Sequence, residues 1–424
     1  MLQIQLFRQE KERVVDGLKK KNFKDLHLVE EIIALDEEKR NIQQQVESIA
    51  AAGNAAAKLI GQLMASGQKE EAEQKKQEVA QGKERTKDLN QQLLDAENRL
   101  HDLIVSLPNL PHSSVPEGTA PEHNEVVRTG GSMPQLPAQA VPHWDLVHRH
   151  NLINFELGTK LTGSGFPVYI NQGARLQRAL VQYFLDTNTN AGYTEYQVPL
   201  MVNEDSAYGT GQLPDKEGQM YHAREDNFYL IPTSEVPLTN IFRDVILKEA
   251  DMPVRMTAYT PCFRREAGSY GKDVRGLNRL HQFDKVEIVQ LTQPENSYET
   301  LEQMLAHVEG LLQQLGLHYR VLRLCGGDMS FTSALTYDLE VYSAAQERWL
   351  EVSSVSNFET FQTNRMKIRY RDEQGKTKLA HSLNGSSLAL PRILACLLEN
   401  NQQEDGSIRI PEVLHSYTGF TKIG

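Results

Sequence analysis

The sequence predicts an α+β protein: an antiparallel β-sheet flanked by helices, preceded by an arm of two antiparallel helices in a coiled coil. Three observations carry this. Two heptad seams of nearly equal length fill residues 27–107. Beyond them, strand-like segments follow one another in runs with helices between, which favours an antiparallel sheet over a doubly wound parallel one. No GxxxxGK[ST] loop and no GxGxxG following a strand occurs, so the commonest parallel nucleotide-binding folds drop out.

Length and composition set the outer limits. At 424 residues the chain is too long for one ordinary domain. A formal net charge of -11 argues against a protein that coats nucleic acid non-specifically, but leaves room for local phosphate contacts. Cys262, Cys325 and Cys396 stand far apart with no CxxC pair, which suggests neither a disulfide framework nor a cysteine-rich zinc site. Charges come too early for a secretory leader, and no apolar run approaches membrane-spanning length. A reduced, cytoplasmic setting is expected, with neither membrane nor DNA as partner.

Residues 1 to about 25 read as a short strand or turn and then an amphipathic helix ending in Lys19, Lys20, Lys21 and Lys24. Those lysines are either a solvated helix end or a phosphate-contacting patch. The first seam runs Leu28, Ile32, Leu35, Lys39, Ile42, Val46, Ile49, Gly53, Ala56, Ile60 and Leu63, in alternating steps of four and three. After the turn at 65–68 the second runs Ala72, Lys75, Val79, Gly82, Thr86, Leu89, Leu93, Ala96, Leu100, Leu103 and Leu107. Folded back on each other, they make an arm of roughly 60 Å. The composition also suits a dimerisation coiled coil or a spacer. Residues 1–108 are expected to form one domain and 109–424 another, with the proline- and glycine-rich 109–142 as linker.

Further on, 143–161 reads as helical, 163–170 as a turn into a strand, and 174–188 as a packed helix with Leu176, Leu180, Val181, Phe184 and Leu185 inward. AGYTEYQVPLMV follows, with Val198, Leu200 and Val202 on a strand and Pro199 confining it to an edge or interface. Thr233, Ser234 and Glu235 open a helix, where capping alone would account for them. A helix over 298–315, strands over 319–324, 336–342 and 349–358, and strand, Asn-Gly-Ser turn and helix over LNGSSLALPR complete the reading.

Residues 259–290, YTPCFRREAGSYGKDVRGLNRLHQFDKVEIVQ, read as strand, glycine-bearing loop and strand. Cys262, Arg264 and Glu266 alternate on the first limb, and Arg279, His281, Phe283, Lys285 and Glu287 on the second, so one face gathers arginines, an aromatic ring and carboxylates. A ligand with phosphates and an amine would partner such a face. A solvated hairpin would carry the same alternation.

At this point the motifs resemble a known family. FRREAGSYGKDVRGLNRLHQFDKVE is similar to the second signature motif of class II aminoacyl-tRNA synthetases, AGYTEYQVPLMV to the first, and LNGSSLALPR to the third. TSE at 233–235, EVSS at 351–354 and the helical hairpin narrow the resemblance to the seryl-tRNA synthetase family, over essentially the whole chain. It implies a sheet of six to eight antiparallel strands and a homodimer with the first motif in its interface. The implied reaction is ATP-dependent serine activation, then transfer to tRNA(Ser), with tRNA(Sec) a further acceptor the family allows.

Residue by residue, the resemblance implies that Arg264 meets the α-phosphate and the serine carboxylate, Glu266 accepts from the adenine amine, and Phe283 stacks under adenine. Arg392 covers the other adenine face or reaches the γ-phosphate, and Arg279 is the second γ-phosphate candidate. The ATP-binding set also takes in Arg265, Val352 and Ser353, although Arg265 falls on the opposite strand face, where a structural role is expected. Glu351 and Ser354 match metal-binding positions for Mg²⁺, and strict alternation separates them unless a bulge intervenes. Glu287 partners the serine amine or hydroxyl, Thr233, Ser234 and Glu235 lie near the amine, and Asn384 and Ser386 complete the serine set. The loop between the hairpin limbs is expected to order over the ligand. The chain departs from the family pattern at Arg265, where a small residue is common, and at Leu390-Pro391 before Arg392; neither removes a named ligand.

Other readings fare worse. A silent binding protein would have lost one of Arg264, Glu266, Glu287 or Arg392, and all four are present. A threonine-specific relative would show a cysteine and two histidines for zinc, and no convincing set is found. The long hairpin disfavours an arm-less relative that charges a carrier protein.

Overall fold

The computed structural model describes residues 1–215, 218–266 and 275–424, in two compact units, Met1–Pro108 and Asn109–Gly424. The expectation about the glycine-bearing loop falls mainly on 267–274, outside the described residues.

The first unit is helical throughout. It opens on a six-residue helix, α1 (Ile4–Gln9), not the expected strand or turn, because Phe7 and the Arg8 guanidinium both find partners when the chain is wound. Helix α2 (Lys11–Lys20) buries Val14 and Leu18, and both helices touch α3 (Leu28–Ala65). Arg8 forms a fork with Asp36 of α3, Nε at 2.7 Å and Nη2 at 2.6 Å, and this holds the Asp36 carboxyl below its usual range. Lys21 is nearly buried, so it is withdrawn from the basic run.

Helix α4 (Lys69–Val105) returns along α3. Every predicted seam position is buried or half-buried, while most of the intervening residues are exposed. Lys39 pairs with Glu97 at 3.0 Å, and a Cβ on Gly82 would sit 3.3 Å from Ile49, so the two helices run antiparallel in one register. In the distal half of the arm the seam holds Gly53, Ala56 and Gly82 and is only half-buried, and it closes again at Leu63 and Ala72 beside the turn. No described helix is long and apolar enough to cross a membrane.

The second unit is built on an eight-stranded sheet, which in chain order comprises β1 (Glu125–Gly130), β2 (Thr194–Glu195), β3 (Val254–Phe263), β4 (Gln282–Thr292), β5 (Tyr319–Arg323), β6 (Leu335–Ser343), β7 (Arg348–Glu359) and β8 (His381–Ala389). Across the sheet the order is β1-β5-β6-β7-β8-β4-β3-β2, and every neighbouring pair is antiparallel except β2 with β3. One face is covered by α6 (Asn171–Asn190), α8 (Ser297–Gln314) and α9 (Leu390–Asn400), preceded in the chain by α5 (His143–Arg149) and α7 (Glu235–Asn240). Leu176, Leu180 and Phe184 of α6, Leu301, Leu305 and Leu312 of α8 and Ile393 and Leu397 of α9 pack there against Val286, Ile288, Val321, Leu339, Val355 and Leu383 of the strands.

Four sequence readings need correction. The 109–142 stretch is not merely a connection, because it supplies the edge strand β1, whose pairing with β5 lies in the backbone and not in an apolar pattern. Residues 143–161 do not make one helix: the chain breaks at Asn151 (φ 50°), and a second helix starts at Phe155. AGYTEYQVPLMV does not make one strand: β2 joins the large sheet while Met201–Val202 pairs with Phe228–Leu230 in a small one, with Pro199 in the irregular stretch between. Asn384, Gly385 and Ser386 do not turn; they lie mid-strand in β8 between β4 and β7, where the ladders on both sides satisfy their backbone.

Candidate active site

The uncovered side of β4, β7 and β8 forms the floor of a cavity of about 550 Å³, the size of a small-ligand site. Alternation along β4 sends Val286 and Ile288 into the core and Phe283, Lys285 and Glu287 into this cavity. In the same way β8 turns Leu383 to the core and Asn384 and Ser386 to the cavity.

At one end, polar groups converge. Lys285 Nζ donates to Thr233 Oγ1 at 2.9 Å and lies 2.6 Å from Glu287 Oε2. Asn384 Nδ2 bridges Glu235 Oε2 (2.7 Å) and Glu287 Oε1 (3.0 Å), while Gln362 donates to Glu235 Oε1 at 2.6 Å. Two buried carboxylates thus share one lysine, with Arg264 farther off. Burial, opposed by the Gln362 hydrogen bond and abetted by the Glu287 charge, pushes Glu235 up to about 7. Such a site lacks one positive charge. Ser353 Oγ donates to the Ser386 carbonyl at 2.6 Å, which ties β7 to β8 beneath it. Ser234 at the start of α7 makes no side-chain cap, and Thr233 accepts from the Glu235 N–H at 3.3 Å. Ser234 faces away, fully buried and outside the lining.

The other end is cationic and aromatic. The Arg264 guanidinium lies 5.2 Å from the Phe283 ring centre, and Arg279 Nη1 donates to Glu266 Oε2 at 2.8 Å. Arg392, at the start of α9, donates from Nε to the Asn278 carbonyl (3.1 Å) and from Nη1 to the Glu351 carbonyl (2.7 Å). Arg264, Glu266, Arg279, Phe283 and Arg392 all line the cavity.

Strict alternation fails at the hairpin mouth because β3 ends at Phe263 and β4 begins at Gln282. His281 is therefore not in the lining: it stacks on Phe166 (5.4 Å) and bonds through Nδ1 to the Arg264 carbonyl (3.0 Å). Cys262, paired across from Phe283, is fully buried and also outside the lining. Arg265 is exposed, outside the lining as well, and donates its backbone N–H to Gln219.

Glu351, Val352, Ser353 and Ser354 all border the cavity. The β6–β7 register runs Leu339 to Ser353 and then Glu340 to Glu351, so Val352 is an extra residue, and this bulge brings Glu351 and Ser354 to one side. Asp338, directly across from Ser354, has a buried Oδ1 with no hydrogen-bond partner. Burial first, and the Glu351 charge second, hold the Asp338 carboxyl well above its usual range. These are hard oxygen donors of the kind magnesium takes. Among the described residues there is no group of three or more His, Cys, Asp or Glu that could hold a metal ion, so other ligands would have to complete a coordination shell.

Sequence reasoning assigned no role to Lys285, although it shares the face of Phe283 and Glu287. Asp338 was also missed; its signal was its place on a strand crossing the EVSS segment. Gln362 comes from a short helix with no recognisable motif, so nothing in the sequence pointed to it.

Two family models match the chain: the seryl-tRNA synthetase N-terminal domain over residues 1–111 and the class II tRNA synthetase core domain (G, H, P, S and T) over 219–401. The serine-tRNA ligase of Salinibacter ruber is 52% identical over 425 residues, covering 100% of this chain and 99% of its own. Among solved structures, seryl-tRNA synthetase from Pyrococcus horikoshii complexed with ATP aligns with a TM-score of 0.95 at 32% identity, covering 100% and 99% of the two chains. The cytoplasmic serine-tRNA ligase of Naegleria fowleri with AMP aligns at 0.89 and 26% identity, covering 100% and 98%.

Proposed function

The chain belongs to the seryl-tRNA synthetase family, and on that premise we propose how its cavity works as an ATP-dependent serine-tRNA ligase. L-Serine and ATP give seryl-adenylate and diphosphate, and the seryl group then passes to the 3'-terminal adenosine of tRNA(Ser). The observation that carries this reading is the joining of two unlike ends in one cavity, an anionic pocket at Glu235 and Glu287 and a cationic, aromatic one at Arg264, Phe283 and Arg392.

The serine carboxylate attacks the α-phosphorus of ATP, forming the mixed anhydride as the bond to diphosphate breaks. The carboxylate is already ionised, so no general base is needed. What the chain supplies is alignment and compensation of charge on the phosphate oxygens, worth several kcal/mol for well-placed cations. Arg264 serves this at the α-phosphate, and its planar fork can hold a carboxylate oxygen and a phosphate oxygen together. Glu266 and Phe283 receive adenine, while Arg279 and Arg392 serve the γ-phosphate. The serine ammonium provides the missing positive charge beside Glu235 and Glu287; Thr233, Asn384 and Ser386 address its hydroxyl and amine. Arg265 and Ser234 lie outside the lining, and for them we infer a structural role.

Glu351 and Ser354, with Asp338 beside them, are the residues that would hold Mg²⁺, with ATP phosphates completing the shell. When bound, the ion offsets phosphate charge and favours a bent triphosphate. The helical arm is the proposed tRNA-binding element. A homodimer through the first motif is supported by Leu200, Met201 and Phe228, which are apolar and exposed on or beside the small sheet. Three buried free cysteines suit the cytoplasm.

The test is pyrophosphate exchange with serine, threonine, alanine and glycine side by side. Serine alone should support it, with alanine disfavoured about 10⁴-fold because the polar pocket would be left unpaired. Exchange driven better by threonine, or none with serine, would overturn the reading.

A further inference from the structure

Behind the cavity, and outside its lining, the chain buries a histidine with a carboxylate. His143 opens α5 and Glu399 lies near the end of α9; both are 0% exposed. His143 Nδ1 and its backbone N–H both donate to Glu399 Oε1, at 2.6 and 2.8 Å, and Gln346 Nε2 donates to the same oxygen at 2.9 Å. The Ser343 hydroxyl donates to the other oxygen. On the far side of the ring, Nε2 accepts from the Leu277 backbone N–H at 2.9 Å. That contact fixes the tautomer, since a nitrogen facing an N–H cannot itself carry the proton. Every polar atom of the pair is therefore committed.

What the pair holds is the limb returning from the hairpin loop into β4. Leu277 precedes Asn278, whose carbonyl receives Arg392 Nε, and it lies two residues before Arg279. Arg392 and Glu399 are seven apart on α9, two turns along one side of the helix. One helix thus grips the limb twice, directly at Asn278 and through His143 at Leu277. Two further features serve the same approach. Gly276 has φ 65°, and a Cβ there would lie 2.2 Å from His143 Nε2, so the ring reaches the backbone only because that side chain is missing. Beside it, the Arg275 guanidinium stacks 4.4 Å from the Trp144 ring centre.

Burying a carboxylate and an imidazole costs more than apolar packing at the same place. Such a pair gives direction, which apolar contact does not. We propose that His143, oriented by Glu399, is a positioning residue for nucleotide binding: by fixing the Leu277 N–H it sets where Arg279 stands relative to Arg392, and so how the cavity grips the ATP phosphates. This rests on reading the cavity as an ATP site.

Two substitutions separate positioning from mere packing. In His143→Asn the shorter amide keeps the donor to Glu399 but cannot reach Leu277. In His143→Gln the longer amide can set its oxygen where Nε2 stands and accept from Leu277. Serine-dependent pyrophosphate exchange should show the KM for ATP raised about tenfold in His143→Asn, the scale of one lost hydrogen bond to a well-placed group. The KM for serine should stay within about twofold, and His143→Gln should return the ATP value to within about threefold. Gly276→Ala, a change at a half-buried position whose added Cβ displaces the buried ring, should behave like His143→Asn and serves if that variant does not fold. An unchanged KM for ATP in both, an equal rise for both substrates, or no rescue by His143→Gln would overturn the inference. In each case normal exchange by the unaltered chain would leave the ATP-site reading intact, whereas no exchange by that chain would overturn both.

Discussion

Serine affinity should depend on pH through Glu235. Its carboxyl, ordinarily near 4.5, is pushed up to about 7 by burial in a pocket that already holds Glu287. At about 1.36 kcal/mol per pH unit, ionising it without serine costs about 3 kcal/mol more than in the unfolded chain. The sign follows. A raised carboxyl pKa means folding takes up a proton between 4.5 and about 7, so the ligand-free protein loses stability as pH rises through that window. A serine ammonium within about 4 Å returns an attraction of about 4 kcal/mol at an effective dielectric of 20, enough to draw Glu235 into its ionised form. Binding should then release a proton, and serine affinity should weaken about tenfold from pH 8 to pH 6, since the fraction of ionised Glu235 falls from about nine-tenths to about one-tenth. The assay is the KM for serine in pyrophosphate exchange across that range, corrected for titration of the amine itself, with proton release read from calorimetry in two buffers of different ionisation heat. Glu235→Gln should flatten the profile, and should stabilise the ligand-free chain at pH 8 but not at pH 5. A KM constant within twofold from pH 6 to 8, or one that falls as the solution is acidified, would refute the reasoning.

Replacing residues 34–100 by a short glycine linker should leave pyrophosphate exchange within about threefold of normal while tRNA charging falls more than about a hundredfold, equivalent to about 2.8 kcal/mol of lost tRNA binding; aminoacylation of tRNA(Ser) reads this, and retained charging would make the arm a spacer. Asp36→Asn should destabilise the helical unit by about 1–2 kcal/mol in urea melts of the full chain at pH 7, the value for a charged fork lowered because Arg8 is partly exposed to water. Because the Asp36 carboxyl is held low, that difference is present at neutral pH and should shrink as pH drops below about 4; equal stability at pH 7 would remove the role.

What could be read from the sequence was whatever repeats or alternates. The coiled-coil seams emerge from spacing alone, down to the weak stretch around Gly53 and Gly82, because a heptad needs only one chain to declare itself. Phe283, Lys285 and Glu287 were legible because a paired strand must alternate, and His281 misled because it lies one residue before pairing begins. The edge strand Glu125–Gly130 was hidden, since none of its side chains is buried and its partner lies nearly 200 residues away. Asn384-Gly385-Ser386 has the composition of a turn, and only two flanking strands keep it extended. His143, Glu399 and Gln362 carry no local signal; their meaning arises when distant segments meet.

The extra residue at Val352 makes the floor of the cavity sensitive to count more than to kind. An unbroken strand can present positions 351 and 353 together, or 352 and 354, but not 351 and 354. The chain reaches that odd interval by giving up one rung of pairing, so almost any side chain of similar bulk at 352 would preserve it. Removing the residue would keep them together too, two apart on an unbroken strand, whereas one further paired residue between them would send Glu351 and Ser354 to opposite faces with no change in either. For this stretch an inserted pairing residue is thus more damaging than a substitution at 352, and a homologue's ability to gather these two oxygens is better judged by its pairing register than by the identity of the residue at the bulge.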